Sequence, residues 1–301
     1  MKKLILATAL AALGAAAQAE TANVVITGKL HTYVDSVKRD GAERVSRVTS
    51  SPDSGLIFMG REELGHGLTA NFMINTALQT DNPADRTTQL GNKELYVGLS
   101  TREGGIRLGR AYHAMFFHAV EFEFGDRNKN ASLVGLHEPR AFGFGNGVFL
   151  HANPAKNVTV KYDRGVSETA GTPDAHVYSV LADVGPAKLG ALYYDNSRGD
   201  TTAQVSGLMK FGATSVGGVY SDHKYSVGGE KQTWQVGAQQ QLTPQISVSA
   251  NYADTSRDDK GFNLIGTYQF SKRTAMHVKY RDLDLNGTRE KLTAIGIDHW
   301  F

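Results

Sequence analysis

The chain has 301 residues, 32 Lys and Arg against 30 Asp and Glu, a formal net charge of +2 and no cysteine. That balance argues against nucleic acid or an anionic membrane surface as the main partner, and the missing cysteines exclude disulfide scaffolds, thiol chemistry and Cys-based metal sites. Mean hydropathy is below zero, which reads as soluble, but membrane strands give the same average because every second residue faces water.

Taken in order, the chain opens with Lys2 and Lys3, an apolar run from Leu4 to Ala17 and the A-x-A signal Ala17-Gln18-Ala19. This is the pattern of a cleaved export signal over residues 1–19, leaving 20–301 as one domain; the run is too short for a membrane-spanning helix. No later stretch is apolar enough to be one.

Residues 24–36 then alternate. Val24, Ile26, Leu30 and Val34 fall on one parity and Lys29, His31, Tyr33 and Asp35 on the other, over a length that suits a strand crossing a bilayer. A polar stretch with Arg39, Arg44 and Arg47 reads as a loop. Strands follow near 56–63 and 70–78, joined by the tight turn at Leu64-Gly65-His66-Gly67-Leu68, and near 94–100. Next comes Gly105 to Asp126, a strand with Arg107 and Arg110 that runs into a segment mixing aromatics with Glu121, Glu123 and Asp126. Too aromatic for bulk water and too acidic for a dry core, this segment fits the inside wall of a wide, water-filled barrel.

The second half repeats the plan with strands near 141–153, 158–164, 175–184, 188–195, 202–211, 214–223, 231–242, 246–254, 261–270, 273–283 and 290–301. Turns alternate short and long. The fold class is therefore all-β: an up-and-down antiparallel transmembrane barrel of about sixteen strands. Tyr252, Tyr268, Tyr280 and Trp300, near strand ends, are expected at the membrane interfaces.

Several stretches resemble the general porins of Gram-negative outer membranes, in particular the trimeric porin family of β-proteobacteria. They are Gly60-Arg61-Glu62-Glu63-Leu64-Gly65-His66-Gly67-Leu68-Thr69-Ala70-Asn71-Phe72, Leu95 to Leu99, Ile106 to Arg110, Ser271 to Thr274 and the closing Ile295-Gly296-Ile297-Asp298-His299-Trp300-Phe301. The resemblance implies a homotrimer in the bacterial outer membrane, in contact with lipid and lipopolysaccharide. It also implies passage of ions and small hydrophilic solutes, a third external loop folded into the lumen, and Phe301 as the signal to the assembly machinery. It further implies wall cations at Lys29, Arg110 and Arg140, with Glu123 as the facing loop acid, beside Glu121 and Asp126. Strict alternation instead aims Arg107 inward and Arg110 outward, unless Gly109 breaks parity; both arginines stay candidates. Gly55 and Met59 stand where the family often has Arg or Lys, so the cationic ladder is thinner, with Arg61 a partial substitute. The near-cancelling charges imply weak selectivity, and the resemblance to the family adds the expectation of a slight anion lean.

Other chemistries find little support. The ten histidines form no metal motif, His113 and His118 included, and there is no G-x-S-x-G. Gly143 to Gly147 lacks the helix a phosphate loop needs. Asp254, Asp258 and Asp259 read as a solvated loop rather than a divalent-cation site. No enzyme, cofactor or metal is expected. The alternative is a substrate-specific channel, for which Tyr112, Phe116, Phe117, Phe122 and Phe124 would line the path; the competing role for these rings is to anchor the loop to the wall.

Overall fold

Alternation with a period of two carries the chain into seventeen strand segments in a computed structural model that describes residues 20–81, 89–125, 131–137 and 143–301. The expected export signal lies outside the described residues. The strands are β1 (Glu20–Arg39), β2 (Val45–Ser50), β3 (Gly55–Gly65), β4 (Leu68–Ala77), β5 (Glu94–Ser100), β6 (Gly104–Tyr112), β7 (Gly143–Ala155), β8 (Val158–Gly165) and β9 (Ala175–Val184). They continue with β10 (Ala187–Asp195), β11 (Thr201–Phe211), β12 (Thr214–Tyr225), β13 (Gly229–Gln241), β14 (Ile246–Thr255), β15 (Lys260–Gln269), β16 (Thr274–Leu285) and β17 (Thr288–Trp300). One helix, α1 (Ala114–Glu121), and a 3-10 turn at Val134–His137 complete the described elements. Neither is long and apolar enough to cross a membrane.

Apart from β2 and β3, consecutive strands pair antiparallel, and β17 returns to β1 in register from Lys29↔Trp300 to Arg39↔Glu290, which closes the sheet. Both β2 and β3 pair with β1, the former along Thr32–Val37 and the latter along Glu20–Lys29. The turn between them is held by Ser54 N–H donating to the Ser51 carbonyl at 3.0 Å and by His31 N–H donating to Ser54 Oγ at 3.0 Å. The two form one interrupted stave, so the barrel has sixteen. Val45–Ser50, read from sequence as part of a polar loop, is thus a strand. Its outward Val48 stands beside Val34, while Arg47 and Thr49 both donate to Asp35; so short a segment shows too little apolar alternation to announce itself.

The two parities of the wall have opposite character. Val24, Ile26, Val34, Val97, Val205, Val236, Ile295 and Ile297 are exposed, whereas His31, Asp35, Gln204, Ser221, Thr233, Gln235, Asn251, Asn263 and Lys279 are buried. This inverts the soluble pattern and suits a sheet bathed in hydrocarbon outside. Aromatic pairs mark the outer face: Trp234 with Tyr252, Phe262 with Tyr280 and Tyr268 with Phe270, at centroid separations of 5.3, 5.6 and 4.9 Å. Trp300 departs from the expected interface position. It shares the parity of buried Asp298 and stands across from Lys29, whose Nζ lies 4.6 Å from the ring centroid; parity, not closeness to a strand end, decides which side a ring takes.

The seam between the first and last staves depends on a glycine. Gly28 and Phe301 exchange backbone hydrogen bonds at 3.2 and 3.1 Å. A Cβ on Gly28 would meet the Gly55 carbonyl oxygen and Phe301 Cζ, each at 2.6 Å. Gly28→Val is therefore expected to destabilise the barrel by about 2 kcal/mol or more, read as a lower thermal midpoint by circular dichroism. Gly207→Ala is the control: its Cβ would meet only Leu189 Cδ2 at 3.6 Å, and it should be neutral or stabilise by roughly 0.5 kcal/mol.

Candidate functional site

The segment after β6 is positioned by the wall's polar parity. Gly109 has φ +131° and the β6–β7 register shifts between Gly109 and Ala111, a bulge beyond which Ala111 and Tyr112 still pair with Phe144 and Gly143. His113, in extended conformation, precedes α1 and provides no side-chain cap. A wall carboxylate does so instead: Ala114 N–H donates to Asp163 Oδ2 at 2.7 Å, placing a negative group at the positive end of the helix. Ala114, Met115, His118 and Phe122 are buried, with Ala114 and Met115 packed on Val177, Leu192 and Tyr194. Phe116, Phe117, Val120 and Glu121 remain half-buried.

Beyond α1 the backbone is held by amides of the wall. Phe124 N–H donates to Asn251 Oδ1 at 2.9 Å, and Asn251 Nδ2 donates back to the Phe124 carbonyl at 2.7 Å. Phe122 and Phe124 pack with Leu208 and Val219. Leu133 and Leu136 pack with Ala253, and Thr233 Oγ1 donates to the Leu136 carbonyl at 3.3 Å. The segment therefore touches strands from β8 to β15. No contact is made with the exposed apolar parity in any of these bonds.

The structure distributes the residues singled out from sequence as follows. Lys29 forms an ion pair with Asp53 at 2.7 Å. Arg107 lies on the buried parity, its guanidinium 5.0 Å from the Tyr96 ring and 5.4 Å from the Phe149 ring. Arg110 is in register with outward Leu95 and reaches the carbonyls of Gly91 and Asn92 at 3.4 and 3.5 Å, long contacts at the end of the second loop. Glu121 meets Lys188 at 3.1 Å. Glu123 is fully buried and accepts from Leu133 N–H at 2.6 Å, from the Ser132 hydroxyl and from Asn263 Nδ2 at 3.3 Å. Asp126 and Arg140 lie outside the described residues.

Sequence reasoning missed a buried polar cluster on the first and last staves. Asp298 accepts from Tyr33 Oη at 2.8 Å and lies 2.7 Å from His277 Nε2, while Lys279 Nζ sits 3.9 Å from the Tyr33 ring centroid. The alternation of Ile295, Ile297 and His299 against Asp298 and Trp300 was the available signal. Asp53, partner of Lys29 and 2.8 Å from His31 Nδ1, lies in a turn without any periodicity. Among the described residues no group of three His, Cys, Asp or Glu is set to hold a metal ion. Asp254 accepts from Tyr252 and Asp259 faces Lys231.

A cleft of about 300 Å³ separates α1 from the wall, with Tyr112, Phe116, Phe117 and Val120 on one side and Lys29, Asp53, Asn75, Lys93, Glu94 and Trp300 on the other. Burial pushes the Lys93 ammonium down to about 8, with Asp53 and Glu94 opposing the shift and Lys29 adding to it. A larger hollow of about 750 Å³ spans β1 and β14 to β17 and includes Val34, Val248, Leu264, Val278 and Ile295. Those five lie on the apolar parity, so this hollow offers little to aqueous solutes.

A family model described as Gram-negative porin matches residues 6–288. No curated protein matches the sequence. Among solved structures, the anion-selective porin from Comamonas acidovorans superposes with a TM-score of 0.81 at 19% identity, over 93% of this chain and 100% of that one. OmpF of Salmonella typhi, in complex with daunomycin, gives 0.75 at 14% identity over 92% and 97%. OmpT of Vibrio cholerae in its trimer form gives 0.69 at 12% identity over 94% and 100%. At these identities the structural matches show a shared fold.

The seat of α1 makes a pH prediction. His118 is 1% exposed, and burial, with Lys161 adding and Glu121 opposing, pushes it down to about 4. The ring is neutral when docked, so docking is strongest above the ordinary histidine value and is lost as pH falls from about 6.5 toward 4. Hydrogen-exchange protection of the α1 amides, corrected for intrinsic rates, should drop by about 2 kcal/mol between pH 7 and pH 4.5. His118→Phe should abolish most of that drop.

Proposed function

The chain belongs to the Gram-negative porin family and forms a diffusion channel in the bacterial outer membrane, and from that premise we propose that it is a general porin with a narrowed, weakly selective water path. In this reading residues 113–125 and 131–137 belong to the third external loop, folded into the lumen. The observation that carries it is the hydrogen-bonded seat of Phe124 and Glu123 on Asn251 and Asn263, polar residues of the buried parity. A loop lying in external water has no need of buried wall amides.

The path between loop and wall is thin and partly enclosed by low-dielectric groups, so fixed charges act there more strongly than in bulk. Lys29, Arg107 and Arg140 supply positive charge, with Arg110 set apart in register with outward Leu95; Glu121, Glu123 and Asp126 oppose it. Asp53 and Lys188 neutralise Lys29 and Glu121 locally, which favours weak selectivity. The sealed position of Glu123 takes one carboxylate away from the water and tilts the balance toward anions. The fold shared with an anion-selective porin is consistent with that lean.

The remaining parts of the reading concern assembly. Residues 1–19 act as a cleaved export signal, the final strand with Phe301 serves the assembly machinery, and three copies associate through part of the exposed apolar wall, as in the trimer form of the Vibrio protein. The rest of that wall contacts lipid and lipopolysaccharide. Passage requires no bond making, and no catalytic role is assigned.

In planar bilayers with a tenfold KCl gradient, the reversal potential should be small and of the sign that chloride preference gives. Replacing Lys29 and Arg107 together by alanine should lower the chloride-to-potassium permeability ratio about twofold. An unmoved potential removes these two residues from the set that governs ion choice.

A further inference from the structure

The half-buried residues of α1 include the rings of Phe116 and Phe117, which meet Tyr112 at the end of β6, while Glu121 at the far end of the helix is paired with Lys188. Tyr112 and Phe116 stack at 4.6 Å with an interplanar angle of 27°, and Phe117 stands edge-on to both, at 88° and 67°. Of these rings Phe117 also meets the wall, with Lys161 Nζ 5.2 Å from its centroid. The buried anchors are Ala114, Met115, His118 and Phe122, where the three rings are only half-buried.

Across the cleft stand two ammonium groups. Each has three donors; Lys29 gives one to Asp53 at 2.7 Å and Lys93 one to the Ser54 carbonyl at 2.8 Å, which leaves further N–H capacity at both. The neighbouring carboxylates are occupied by protein donors: Asp53 by Lys29 beside His31, and Glu94 by Asn75 Nδ2 at 3.2 Å. The cleft therefore offers donors and ring surfaces but few open acceptors. Its volume of about 300 Å³ is at the small end of known ligand sites.

From this juxtaposition we propose that the cleft between α1 and Lys29–Lys93 is a binding subsite for small aromatic carboxylates on their way through the channel. The ring of such a solute meets Phe116, Phe117 and Tyr112 edge to face, and its carboxylate takes charge-assisted hydrogen bonds from the two lysines. An aliphatic acid has the charge without the ring. A saccharide needs acceptors to receive its hydroxyl protons, and the cleft supplies them only through Asp53, paired with Lys29, and Glu94, which accepts from Asn75.

The inference rests on the porin reading, and its test separates the two. Full-length protein in planar bilayers is first checked for KCl conductance; a chain that conducts nothing overturns the open-channel reading itself. Benzoate, cyclohexanecarboxylate and acetate are then added at equal concentrations. Benzoate is expected to interrupt the current at about tenfold lower concentration than either other acid. In Phe116→Ala/Phe117→Ala the benzoate advantage disappears, and in Lys93→Met block by benzoate weakens severalfold. Equal effects of the three acids on the wild-type channel overturn the proposal whatever the variants do. Block by maltose without block by benzoate overturns it as well and assigns the rings to saccharides.

Discussion

A backbone amide in hydrocarbon must be hydrogen-bonded, because no water is there to take its place, and a sheet can meet that demand only by closing. The antiparallel ladder between β17 and β1 is where closure is made, and it extends to the Gly28–Phe301 pair. Once the sheet is closed, alternate residues point to lipid and to the interior. The polar set that a soluble protein would show to solvent is turned inside.

An interior of polar side chains gives the segment around α1 something to bind. Its buried backbone groups need partners as much as those of the strands do, and Asp163, Asn251 and Asn263 provide them. Glu123 is the strongest case. A carboxylate with no exposure is tolerable only when several donors surround it, and Leu133 N–H, Ser132 and Asn263 do so. Glu123 is the clasp that holds residues 132 and 133, beyond the stretch 126–130, to its own side and to the wall amide of Asn263. Phe116, Phe117 and Glu121 stay half-buried.

Where a residue's role follows from alternation, the sequence was a good guide. Ala175–Val184 and Glu94–Ser100 form strands over the spans their patterns mark, and Arg107 falls on the buried parity that counting from Ile106 and Leu108 requires. Alternation carries no information where it is interrupted or where a partner comes from far along the chain. Val45–Ser50 was hidden by its arginine and serines, and α1 by being only two turns long with half-buried rings. Trp300 belongs with Asp298, not with the outer aromatics. Asp53, Asn251 and Asn263 acquire their meaning from Lys29, Phe124 and Glu123, up to 140 residues away. The break in parity falls at Gly109, the glycine the sequence offered for it, and Arg110 beside it is in register with outward Leu95.

The seat of the segment on the buried parity of the wall is the contact from which the proposed narrowing of the channel follows, and the absence of native cysteine allows it to be tested by one cross-link. A Cβ on Gly125 would lie 3.3 Å from Ser249 Cβ, a little under the ~3.5–4.5 Å usual for a disulfide, and the cysteine would have to adopt φ +81° at a cost of about 1 kcal/mol, so the variant is first shown to fold. In the folded Gly125→Cys/Ser249→Cys protein, mild oxidation should consume both thiols, join the two positions and leave KCl conductance essentially unchanged. Two thiols that stay free and react independently with a maleimide would contradict the seat and, with it, the narrowed path.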